Sequence, residues 1–129
     1  MRALNRETFD EALREADGLV LVDFWAPWCG PCQTVTPTLE GLEEQYQDEV
    51  SFFMVNVEEE RDLMGAFQLR SIPSVLLLKP HQGRGGARVL DAKIGAQSSQ
   101  SYQQWLDSYV YPRPSIFQRI KSLLSRSSS

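Results

Sequence analysis

The chain has 129 residues, 42% of them hydrophobic and 23% charged, with a net charge of −4. That is enough for one domain with a core of its own, it contains no apolar run long enough to cross a bilayer, and its mild acidity speaks against nucleic acid as a general partner. The N-terminal stretch MRALNRETFDEALREADG carries charge throughout and no apolar signal region, so the expected location is the reducing cytoplasm.

In chain order, residues 8–16 (TFDEALREA) place Phe9, Ala12, Leu13 and Ala16 on one face of a helix, with Gly18 expected to stop it. Leu19 to Trp25 (LVLVDFW) is a nearly continuous apolar run, the pattern of a strand buried on both faces, interrupted by Asp23. A second helix is predicted from Pro31 to Tyr46, kinked at Pro37, followed by a strand from Val50 to Val57. EERDLMGAFQL reads as a short helix with acids in its first turn. SVLLLK and RVLDAKI read as two strands joined by the Gly-rich PHQGRGGA, and residues 98–110 as a closing helix carrying Tyr102, Trp105, Leu106 and Tyr109. The order predicts an α/β domain whose two long early strands run parallel, with helices on both faces.

The only two cysteines, Cys29 and Cys32, sit in FWAPWCGPCQ at the junction of the first long strand and the helix after it. A zinc site needs more ligands than this pair supplies, and the single histidine, His81, is far along the chain, so no metal is expected. Two small buried hydrophobes are another reading, but Gly30, Pro31 and the flanking tryptophans suit a presented turn better than a core. The third reading is a redox dithiol. Cys29 would lie at a helix N-terminus, where unpaired N–H groups and the positive dipole end favour a thiolate. Pro31 presets the first helical turn, and Cys32, one turn in, is within reach for a disulfide. One sulfur can then attack while the other resolves. Asp23, buried in an apolar strand, should have a raised pKa and be able to exchange a proton, unless it is simply a core carboxylate satisfied by hydrogen bonds.

WCGPC preceded by LVDFWAP closely resembles the thioredoxin family, and the resemblance covers most of the chain. CGPC is the thioredoxin form of the motif, where disulfide isomerases usually have CGHC. TPTLEGL carries the family's helix-kinking proline at Pro37, SIPS matches its cis-proline loop at Ile72 and Pro73, and IGA supplies a glycine at Gly95. The resemblance implies a thioredoxin fold, a central mixed β-sheet flanked by helices. It implies a thiol–disulfide oxidoreductase that reduces protein disulfides through Cys29 and Cys32, with Asp23 serving the buried sulfur of Cys32. Trp28, Gly30, Pro31, Ile72, Pro73 and Gly95 would form the substrate-binding surface, where an extended peptide pairs with backbone beside the disulfide. Trp25 fits a packing role. No organic cofactor is implied beyond the redox-active disulfide; electrons would come from a separate reductase, thioredoxin reductase being one candidate.

The sequence also departs from the family. Met54 stands where a lysine commonly faces the buried aspartate, and Gln33 where a lysine or arginine commonly follows the second cysteine. The first strand is reduced to about RAL, and the loop from Pro80 to Ala87 is long; its GRGG precedes a strand rather than a helix, which favours a hairpin loop over a phosphate cradle. The expected division is a domain over 1–110, a Pro-containing linker over 111–114, a basic amphipathic helix over 115–126 and a disordered end over 127–129. Four of the 13 basic residues and no acid lie beyond Asp107, so the tail carries +4 and the body −8. Ile116, Phe117, Ile120, Leu123 and Leu124 share one face of that helix, which would dock on its own domain or a second copy, on a partner protein or, weakly, on an anionic membrane. These departures leave an alternative from another class: a thioredoxin-fold binding module or co-chaperone in which redox turnover is secondary.

Overall fold

A computed structural model describes residues 1–112 together with Ile120, Leu123 and Leu124. The elements in order are β1 (Arg2–Ala3), α1 (Arg6–Glu15), β2 (Leu19–Trp25), α2 (Cys32–Glu43), a 3₁₀ turn (Glu44–Tyr46), β3 (Val50–Asn56), α3 (Arg61–Ala66), β4 (Ser74–Pro80), β5 (Ala87–Ile94) and α4 (Ser99–Val110). One mixed sheet has the order β1-β3-β2-β4-β5. β2 is parallel to β3 over all seven residues, as the sequence predicts, and antiparallel to β4 over Val20–Phe24, so its middle five residues are paired on both sides. That explains the apolar run: Val20 to Phe24 are all fully buried, Asp23 included. β4 and β5 form the expected antiparallel pair, with a register shift at Leu77/Leu78.

Strand alternation sends side chains to two separate cores. Val20, Val22, Phe24, Leu76 and Leu78 pack with Phe9, Ala12 and Leu13 of α1. Leu21, Val75 and Leu77 pack with Val35 and Leu39 of α2 and with Tyr102, Trp105 and Leu106 of α4. α4 is fastened to the sheet by polar contacts as well: Trp105 Nε1 and the Tyr109 hydroxyl both donate to Asp91 Oδ2 at 2.9 Å. The Trp105 bond, foremost among those contacts, holds the Asp91 carboxyl below its usual range.

Some local details differ from the sequence reading. α1 starts two residues earlier because Asn5 and Thr8 form a reciprocal capping box: the Asn5 side chain accepts from the Glu7 and Thr8 amides, and Thr8 Oγ1 accepts from the Asn5 amide. Gly18 is not the cap, since the helix ends at Ala16. Its role is close approach: a Cβ there would fall onto the Glu49 carbonyl oxygen, which accepts the Leu19 amide at 3.0 Å where β2 begins. Gly18→Ala is therefore expected to destabilise the fold by about 1–3 kcal/mol, read as a lower urea midpoint. The long second helix becomes α2 followed by the 3₁₀ turn, with Pro37 inside α2. The tail expectation over 115–126 lies outside the described residues except for Ile120, Leu123 and Leu124, which are helical and exposed.

Candidate active site

β2 ends at Trp25 in the middle of the sheet, and the chain turns through Ala26–Gly30 into α2. The carboxyl end of a central strand is where an open α/β sheet leaves a crevice. Cys29 and Cys32 are joined there as a disulfide, their Cα atoms 5.3 Å apart. Pro31 occupies the N-cap of α2 in helical conformation, one position before the expected first turn, and its carbonyl accepts the Thr34 and Val35 amides. Proline suits that place because no amide hydrogen is lost from the helix. Cys29 is 5% exposed and Cys32 is fully enclosed. The Cys32 backbone N–H points at Cys29 Sγ, 3.3 Å away. A hydrogen-bond donor on a sulfur at a helix start favours its thiolate once the disulfide is opened.

Asp23 lies beneath this turn with no exposed surface. Its Oδ2 accepts a 2.6 Å hydrogen bond from the Thr36 hydroxyl, while its Oδ1 is buried without a partner. Burial raises its pKa to about 6; the Thr36 bond pulls the other way, and the charge of Glu40 adds a smaller upward push. Met54 is its register partner on β3, so the place where the family commonly carries a lysine holds a thioether. Between pH 6 and 7 this carboxyl passes from half to mostly ionised, a range suited to exchanging a proton with a thiol.

The remaining residues singled out from sequence fall around the same turn. Trp28 is 68% exposed and lines a groove of about 610 Å³ with Val57, Met64, Ile72 and the arginines Arg61 and Arg70. The Ile72–Pro73 peptide bond is cis, and Ile72 packs against the core cluster that contains both cysteines. The Gly95 amide donates to the Pro73 carbonyl at 2.9 Å, and Gly95 has φ +87° with open space where a Cβ would project. Gly30 also faces open space. The Gln33 side-chain amide donates to the Pro27 carbonyl, tying the turn to α2 without adding charge. Trp25 packs against the α1-side core. Thr36 is the site residue that sequence reasoning missed. Its one signal was a hydroxyl four residues after Cys32, one helical turn further along α2.

Among the described residues no group of three His, Cys, Asp or Glu could hold a metal ion, and no helix is long and apolar enough to cross a membrane. Comparison with known proteins agrees with the geometry. The thioredoxin family model matches residues 1–108. Thioredoxin 1 of Synechococcus elongatus is 36% identical over 108 residues, covering 84% of this chain and 95% of its own. Thioredoxin of Chlorobaculum thiosulfatiphilum is 33% identical over 104 residues, 81% of this chain and 91% of its own. Thioredoxin M2, chloroplastic, of Arabidopsis thaliana is 32% identical over 110 residues, 85% of this chain and 56% of its own. With the CGPC disulfide at the end of the central strand, the chain belongs to the thioredoxin family of thiol–disulfide oxidoreductases.

Proposed function

We propose that this protein reduces disulfides in other proteins with Cys29 as the attacking sulfur and Cys32 as the resolving one. The observation that carries the assignment is the Cys32 amide directed at Cys29 Sγ, with Cys29 the less enclosed of the two. In the reduced protein the Cys29 thiolate attacks one sulfur of the substrate disulfide. That S–S bond breaks, the first substrate thiolate leaves and takes a proton, and a mixed disulfide remains. Cys32 then gives its proton to Asp23, and its thiolate attacks Cys29 Sγ. The second substrate sulfur leaves as thiolate, and the Cys29–Cys32 disulfide re-forms. Two electrons have passed to the substrate, and a separate reductase, with thioredoxin reductase the candidate, returns them.

Substrate backbone would lie along Ile72 and Pro73, with Gly95 leaving room beside them and the flat face of Trp28, Gly30 and Pro31 opposite. The body over 1–110 would be the catalytic unit, with 111–114 as a linker to the tail. A reducing compartment such as the cytoplasm fits a dithiol that must be returned to its reduced state after each turnover.

Limited alkylation tests the division of labour. Brief iodoacetamide treatment of the reduced protein should modify Cys29 first, with an apparent pKa below the free-thiol value of about 8.5. Earlier modification of Cys32 would reverse the two roles.

A further inference from the structure

Met54, Asp23, Val75 and Lys93 form one row across β3, β2, β4 and β5, on the sheet face covered by α2 and α4. Met54 and Val75 carry no charge, and Ala3 of β1, beyond Met54, carries none. Lys93 is two strands away, and its ammonium lies over the Trp105 ring, 5.8 Å from the centroid. From α2 come Thr36 and the charge of Glu40; from α4 comes Tyr102. Among the described residues no cation forms an ion pair with Asp23. Two hydroxyls lie in its surroundings, one bonded to it and one that feels its charge.

One is already engaged: Thr36 Oγ1 donates to Oδ2 at 2.6 Å. The other is Tyr102. This tyrosine is fully buried in the same core cluster as Leu21, Val35 and Val75, and its hydroxyl proton has no acceptor. Asp23 Oδ1 is likewise without a donor. A buried donor and a buried acceptor, each unsatisfied, in one small region are costly apart and natural partners together. Burial raises the Tyr102 phenol, the Gln97 backbone amide beside its oxygen pulls the other way, and the nearby Asp23 charge adds a smaller upward push, so the hydroxyl keeps its proton to donate.

We propose that Thr36 and Tyr102 are positioning residues for Asp23, two hydroxyls in place of a lysine: Thr36 holds Oδ2, and Tyr102 serves Oδ1 through one bound water. Both donate, so both favour the carboxylate over the acid. They keep Asp23 able to accept the Cys32 proton near neutral pH in a site that offers it no ammonium. The proposal rests on the reading of Asp23 as the base for Cys32.

Thr36→Val and Tyr102→Phe remove each hydroxyl while keeping the shape of the side chain. Two quantities are read in the full chain. The first is the Asp23 titration midpoint, from its carboxyl ¹³C resonance in the disulfide form. The second is the pH dependence of resolution, followed as release of the second nitrothiobenzoate after reduced protein meets one equivalent of the aromatic disulfide. Each variant should raise the midpoint by about half a pH unit or more and carry the acidic limb of the resolution profile upward with it. Thr36→Ser should restore the wild-type values. A purely structural role would alter the melting temperature and leave the midpoint in place. Midpoints within about 0.2 of wild type in both variants would overturn the proposal. Midpoints that move while the resolution profile stays fixed would instead overturn the assignment of Asp23 as base, and the hydroxyls would then tune a carboxylate without a catalytic part.

Discussion

Asp23→Asn should make the protein more stable above neutral pH and slower in resolving mixed disulfides. The stability gain follows from linkage. The Asp23 pKa rises from 3.8 to about 6 on folding, so between those values the folded state holds the proton more tightly than the unfolded state does. Stability therefore falls as pH rises through this window, and the whole cost is present above it. A difference of about two pH units corresponds to about 3 kcal/mol, a ceiling because asparagine brings an amide that also wants partners. The expected result is a gain of about 2 kcal/mol for the variant at pH 8, shrinking toward zero near pH 4, in urea titrations across that range.

The kinetic loss has a separate origin. Asparagine cannot accept the Cys32 proton, and general-base assistance is worth on the order of a hundredfold. Resolution of a mixed disulfide at pH 7 should slow by about tenfold or more, while the first attack by Cys29 changes less. Met54→Lys approaches the same group from the other direction. An ammonium on the register partner of Asp23 would favour the carboxylate and shift the resolution profile to lower pH, the thiol and carboxyl titrating as a coupled pair. If Asp23→Asn resolved at the wild-type rate and Met54→Lys left the profile in place, Asp23 would have no part in the reaction.

The fold was legible because its strongest local signals agree with its topology. Leu19 to Trp25 reads as a nearly continuous apolar run because β2 is the central strand of the sheet, paired with β3 and β4 and covered on both faces. The charged residue within it stood out for the same reason, and Met54 was placed opposite Asp23 by alignment with the family's pattern, which the strand register bears out. Contacts across elements were not legible. Thr36 reads as an ordinary helix residue until α2 is laid over β2, and Tyr102 reads as one more aromatic on the closing helix until its hydroxyl is enclosed beside α2. Gly18 was misread for a related reason. Sequence shows a glycine after a helix, but the requirement comes from the Glu49 carbonyl at the start of β3, thirty-one positions along the chain.

The central claim, that Cys29 attacks and Cys32 resolves, is tested most directly by trapping. Reduced Cys32→Ser protein, mixed with a disulfide-bonded protein substrate such as insulin, should accumulate a covalent mixed disulfide through Cys29. The adduct would be seen as a mass increase by intact-protein mass spectrometry and released by dithiothreitol. Catalysed insulin reduction with dithiothreitol should fall to the level of the Cys29→Ser, Cys32→Ser double variant. The account predicts a stable adduct from Cys32→Ser and none from Cys29→Ser. An adduct formed only by Cys29→Ser would reverse the roles of the two sulfurs. Insulin reduction by the wild type no faster than by the double variant would contradict the account, leaving a thioredoxin-fold protein that binds its partners without reducing them.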